Sequence, residues 1–280
     1  MFRLTVFFAA LALTACGGNA PVSASGDERP MRIVSLDFCA DNYVLKLADR
    51  EQILAISPDA EKDFTYMRDA AAGIPTVRAI AEDVLILKPD LVVRSYGGGP
   101  NAAAFLERAG IPVLQVGWAS TIGGEEVGSV SHLVQNMADG LGQSARGKAL
   151  VADFRTRLDA LERRAPGSVA LYMSAAGVTS GPGSMAHEML SAAGLSNFQD
   201  SPGWRSLPLE RLAYQKPDVV AASFFNTSAP SRDAWSAARH PVARAQLNGP
   251  DVVFLDGAWT ACGGWYVLDA VEALANGRVE

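Results

Sequence analysis

The sequence predicts an α/β protein in two halves flanking one long helix, and three observations lead there. Short β-branched runs alternate with longer amphipathic segments on both sides of the middle, the middle itself (129–164) has helical periodicity without a strand signal, and one segment of the first half returns in the second. Alternation of this kind predicts βαβ units and a mostly parallel sheet. Because the short runs are uniformly apolar, they read as strands buried on both faces.

At the N-terminus, Met1-Phe2-Arg3 supplies one positive charge and Leu4 to Ala15 a nearly all-apolar run ending at Cys16. A helix rising ~1.5 Å per residue needs about 20 apolar residues to cross a bilayer, so this run is too short to span one. Residues 1–15 read as a secretory signal that is removed. Leu13-Thr14-Ala15-Cys16 resembles the lipobox of bacterial lipoproteins, which implies that Cys16 carries lipid and tethers the protein to a membrane. Residues 16–30, rich in Gly, Ala, Ser, Pro and Asn, cannot bury enough surface to order themselves and are expected to be a flexible tether.

The first α/β half covers 31–141. Its predicted strands are 32–36, 53–56, 91–94 and 113–116, with helices at 41–48, 80–87 and 102–109 between them. A connecting helix is predicted over 142–165, after interruptions at Gly140 and Gly142. Leu150, Phe154, Leu158 and Leu161 share one of its faces, and Pro166-Gly167 stops it. The second half, 166–280, resumes with strands at 168–173, 218–222 and 252–255, and helices at 186–193, 209–215, 234–245 (broken by Pro241) and 266–275. The repeated segment runs from Glu82 through Lys88-Pro89-Asp90 and, 128 residues later, from Glu210 through Lys216-Pro217-Asp218. In each copy an acidic residue opens a short helix, proline stops it and a buried strand follows.

Composition narrows the function classes. The chain has 24 Lys and Arg against 30 Asp and Glu, a net charge of −6, and loses Arg3 with the leader. That balance argues against nucleic acid or an anionic membrane surface as a partner. Three cysteines are present; lipidation of Cys16 leaves Cys39 and Cys262, and the sequence leaves open whether they form a disulfide or stay free. As free thiols they could bind a metal with His187, or His187 could act as an axial ligand to cobalt or iron, although the spacings match no metal motif. Enzyme signatures are weak. Tyr96-Gly97-Gly98-Gly99-Pro100 lacks the Lys-Ser/Thr of a phosphate loop, Gly181-Pro182-Gly183 is not a dinucleotide fingerprint, and no Gly-x-Ser-x-Gly elbow occurs.

Taken in order, Arg32-Ile33-Val34-Ser35-Leu36, the paired Glu…Lys-Pro-Asp segments, the central helix, Ser180-Gly181 and Gly203-Trp204 resemble the periplasmic binding proteins of vitamin B12 and iron-siderophore uptake, across 31–276. The resemblance implies two Rossmann-like lobes joined by a single long α-helix, with a ligand in the cleft between them. It also implies a non-enzymatic role without a cofactor: a monomeric lipoprotein in the periplasm that hands a corrinoid, ferric siderophore or haem-like chelate to an ABC permease dimer with its ATPase. By motif position Glu82 and Glu210 are the expected permease-docking carboxylates. Loops after predicted strands supply the candidate ligand contacts: Asp37, Phe38 and Cys39, then Tyr96, Trp118, Ser174, Trp204, Phe224, Phe225 and Trp259. Aromatic planes suit a flat, partly apolar chelate. Trp204 and Trp259 match aromatic positions of the B12-binding relatives, whereas Thr76-Val77-Arg78 departs from a tryptophan expected before Glu82. The alternative reading is a secreted metal-binding protein or metalloenzyme using Cys39, His187 and Cys262.

Overall fold

A computed structural model of the chain describes residues 29–164, 166–224, 236–249 and 251–277. The leader, Cys16 and all but the last two residues of the tether lie outside the described residues, as do Phe225 and Trp235.

The first lobe runs β1 (Ile33–Ser35), α1 (Phe38–Leu47), β2 (Ile53–Ala55), α2 (Ala81–Ile86), β3 (Leu91–Arg94), α3 (Ala102–Arg108) and β4 (Val113–Gln115). Two adjacent helices follow, α4 (Val130–Gly140) and α5 (Ser144–Asp159). The second lobe runs β5 (Val169–Ser174), β6 (Val178–Ser180), α6 (Met185–Ala192), β7 (Ser196–Asn197), β8 (Trp204–Ser206), α7 (Leu209–Tyr214), β9 (Val219–Phe224), α8 (Pro241–Gln246), β10 (Val252–Asp256), α9 (Gly257–Thr260) and α10 (Val267–Asn276).

Each lobe holds a four-stranded parallel sheet, and the two have the same plan. The order is β2-β1-β3-β4 in one and β7-β5-β9-β10 in the other, so the first strand of each lobe is central and pairs with the strand of the repeated segment. The repeat is therefore structural. Asp90 accepts from the backbone N–H of Met31 (2.8 Å) and Arg32 (2.9 Å), and Asp218 accepts from Val169 (2.8 Å), so each copy pins the start of its lobe's first strand.

Side-chain alternation along these strands sorts the apolar residues into three layers. Val34 and Val92 face outward onto α2 and α3, and Leu171, Val220 and Val252 face outward onto α7 and α8. Ile33 and Val93, with Tyr172, Ala221 and Val253 of the second sheet, face inward onto one continuous core built with α1, α4, α5, α6 and α10. The lobes thus share a core as well as a covalent link.

Helix α5 supplies that link, with Leu150 and Phe154 buried and Leu158 packed against the same core. Its close approach to α4 depends on Gly147, where a Cβ would stand 2.4 Å from that of Ala138. The helix ends at Asp159 rather than just before Pro166, as the sequence suggested. Arg164, beyond that end, donates to Leu274 O (2.6 Å) and pairs with Asp251, fastening the chain to the second lobe.

Candidate functional site

In a parallel sheet all strands deliver their following loops at one edge, and ligands bind outside those carboxyl ends. Here the two such edges meet. Cys39, in the first turn after β1, and Cys262, in the loop after β10 and α9, form a disulfide with a Cα–Cα distance of 5.6 Å. Both residues are 2% exposed. This corrects two expectations. Cys39 is part of the wall beneath the cleft and offers no sulfur to a ligand, and neither thiolate is free to bind metal. His187, on α6, sits 3.3 Å from Asn197 Nδ2 through Nδ1. Among the described residues no group of three His, Cys, Asp or Glu side chains is arranged to hold a metal ion.

The first lobe's rim is organised by Asp37. One carboxylate oxygen caps α1 at Ala40 N (3.0 Å), and the other accepts from three successive amides, Ser95 (2.7 Å), Tyr96 (3.1 Å) and Gly97 (2.8 Å). From the opposite side Arg94, 6% exposed, donates to the carbonyls of Gly97 (2.7 Å) and Gly99 (2.8 Å). Bonds to charged groups of this kind are stronger than neutral ones and fix the loop. Gly97 is obligatory here, since a Cβ would stand 2.4 Å from Leu36 O. The loop carries Tyr96, half exposed, edge-on to Phe38 at 6.0 Å between ring centroids. Burial, then the nearby charges of Asp37, Asp59 and Asp41, pushes the Tyr96 phenol up to about 12, so it stays protonated at neutral pH. Phe38 is also edge-on to Phe64 at 4.8 Å. Nothing in the sequence singled out Phe64, because it lies well beyond the end of β2 in a long loop and not directly after a strand.

Trp118 follows β4 at the same edge and is 65% exposed. In the second lobe, Ser174 ends β5 with its hydroxyl unpartnered among the described residues, and Phe224 ends β9. Trp259 lies half-buried on α9, a one-turn helix capped by Asp256, against the shared core. Trp204 begins β8, which pairs antiparallel with β6; it is 60% exposed and edge-on to Tyr172 at 6.1 Å. Trp265 is buried between Tyr43 (5.2 Å) and Tyr66 (6.1 Å). Glu82 and Glu210 are exposed on α2 and α7, the outer helices.

Below the cleft a polar network ties the lobes to the connecting helix. Tyr66 of the first lobe stacks on Tyr266 at 4.7 Å and donates its hydroxyl to Asp269 of α10 (2.7 Å). Arg157 of α5 donates to Asp269 (2.6 Å) and to both oxygens of Glu272 (2.9 and 2.7 Å). Asn42 bridges as well, donating to the Tyr266 hydroxyl (3.2 Å) and accepting from Met67 N (2.9 Å).

Comparison with known proteins gives a consistent picture. A family model described as periplasmic binding protein matches residues 33–232. The cobalamin-binding protein of Halobacterium salinarum is 27% identical over 228 residues, which is 76% of this chain. The chain spans 58% of the length of that relative. Among solved structures, a periplasmic haem-binding protein from Pseudomonas aeruginosa is 22% identical with a TM-score of 0.64, covering 88% of this chain and 91% of that one. A periplasmic vitamin B12-binding protein of Vibrio cholerae is 20% identical with a TM-score of 0.60, covering 89% and 96% respectively. At these identities the structural matches establish the fold: two α/β lobes on a helical backbone.

Proposed function

Because the chain belongs to the periplasmic binding protein family, we propose that it captures a bulky, largely planar chelate (cobalamin, haem or a ferric siderophore) between its lobes and delivers it to an ABC permease dimer. The observation that carries this reading is the meeting of the two carboxyl-terminal sheet edges at Cys39–Cys262, with Tyr96 and Trp118 exposed on loops of the first lobe and Trp204 exposed at the start of β8 in the second. Exposed aromatic planes on a fixed frame gain stacking and area burial at little conformational cost, which suits a rigid ligand. The relatives named for cobalamin and haem support this ligand class.

Phe38, Tyr96, Trp118 and Trp204 are the proposed contacts, with Ser174, Phe224 and Trp259 completing the second lobe's side. Delivery would use Glu82 and Glu210, one on each lobe, against a twofold permease. Cys16 would carry the lipid anchor in the periplasm.

Tryptophan fluorescence titration with cyanocobalamin, haemin and a ferric catecholate tests the reading. One of the three is expected to quench saturably, and Trp204→Ala should weaken that ligand about tenfold, the equivalent of losing one stacked ring. If none of them gives saturable quenching, the proposed ligand class is wrong.

A further inference from the structure

Each lobe turns one short outer helix to solvent, and the two helices match position for position at the repeat spacing. Glu82 and Glu210 are exposed at the second helical position, Val84 and Leu212 are buried beneath, and Ile86 and Tyr214 close the helices. Those last two are 77% and 91% exposed. Of the large apolar side chains among the described residues, only Val127, at 84%, is comparably bare.

A single exposed apolar residue needs no explanation. Two at equivalent places do, because folding asks only for the inward Val84 and Leu212. Residues four apart on a helix are neighbours, with Cβ atoms about 5–6 Å apart. Glu82 with Ile86, and Glu210 with Tyr214, therefore form two contiguous patches, each a carboxylate beside an apolar side chain. Neither glutamate takes part in an ion pair among the described residues. Asp90 and Asp218 hold both copies in the same relation to their sheets, so the patches occupy equivalent places on the two lobes.

We propose that Ile86 and Tyr214 are the apolar half of a two-point docking surface, whose partner offers the same socket twice: a basic side chain flanked by an apolar hollow. This rests on the importer reading, in which the partner is the permease dimer. Charge complementarity assigns the division of labour. The carboxylates steer encounter, an effect that salt weakens, and the apolar side chains, desolvated on contact, set how long the complex lasts.

The test compares three proteins binding the permease–ATPase complex of the same source in nanodiscs: the unaltered chain, Ile86→Ser/Tyr214→Ser, and Glu82→Arg/Glu210→Arg. Thermal unfolding checks that each is folded. The apolar pair of substitutions is expected to weaken binding about tenfold or more, mainly by faster dissociation and equally at low and high salt. The charge reversal should slow association, most strongly at low salt. Binding by Ile86→Ser/Tyr214→Ser within about twofold of the unaltered chain overturns the proposal; if the charge reversal still impairs binding, glutamate docking survives it. Should the unaltered chain itself fail to bind the complex, the importer reading falls, and this proposal with it.

Discussion

Asp41 shows how a single buried acid sets a condition on the fold. It lies on α1 and accepts from Ser57 N (3.1 Å) and from the Ser57 hydroxyl. Burial pushes its carboxyl up to about 6, against the pull of those bonds and with a smaller push from the Asp37 charge. The ordinary unfolded value is about 3.9, so the folded state binds the proton more tightly. Its stabilising contribution is complete below the unfolded value and is lost as pH rises through the folded one. On the order of 1 kcal/mol should disappear between pH 5 and pH 7.5. Asp41→Asn keeps the shape and can still accept from Ser57, and it cannot ionise. Urea unfolding at the two pH values is expected to show a smaller loss for the variant than for the unaltered protein. Equal losses in both would mean that Asp41 does not titrate in this range. Asp37, only four residues earlier, spends its two oxygens on four backbone amides. Nothing in its sequence context distinguishes the two, since what differs is the backbone each one meets after folding.

Among the elements, the junction of Tyr66, α5 and α10 decides how firmly the lobes hold one another. Asp269 is shared: Tyr66 donates to it from the first lobe and Arg157 from the connecting helix. The two donors hold the two oxygens of one carboxylate, so their contributions should not add. A double-mutant cycle with Tyr66→Phe and Arg157→Ala is expected to give a coupling of about 0.5–1 kcal/mol, modest because the pair is partly solvated. Strict additivity in chemical denaturation would show that the two bonds act separately. Elements with an apolar pattern were legible from sequence. The strands at 33–35, 91–94, 169–174 and 252–256, and the helices α2, α3, α6, α7 and α10, lie within a few residues of where periodicity put them. The antiparallel β6–β8 pair was not, because its strands Val178–Ser180 and Trp204–Ser206 are short, largely polar and separated in sequence by α6 and β7. Of the candidate aromatics, Tyr96 and Trp118 lie in loops as the sequence placed them, whereas Phe38 opens α1, Trp204 begins β8 and Trp259 sits on α9. Which tryptophans are exposed was not legible, as the contrast of Trp204 with buried Trp265 shows, because packing against Tyr43 and Tyr66 depends on partners far along the chain.

At the scale of the whole molecule, two sheets of identical strand order close around one inner core, and the ties between them include α5, the tyrosine–aspartate–arginine junction, the Asn42–Tyr266 bond and the disulfide. The disulfide joins residues 223 apart in sequence. A cross-link over so long a loop restricts the unfolded chain strongly, and its removal costs about 2–5 kcal/mol. Its effect on the folded shape should be small, because opening the cleft would also shear close-packed helices and break the bonds to Asp269. Cys39→Ser/Cys262→Ser is therefore expected to unfold at a markedly lower temperature, while its small-angle scattering superimposes on that of the oxidised protein. A larger radius of gyration in the variant would show instead that the disulfide is the principal clamp on the lobes. The shared core and the junction would then be too weak to fix the cleft, and a preformed site for a rigid ligand would exist only in the oxidised protein.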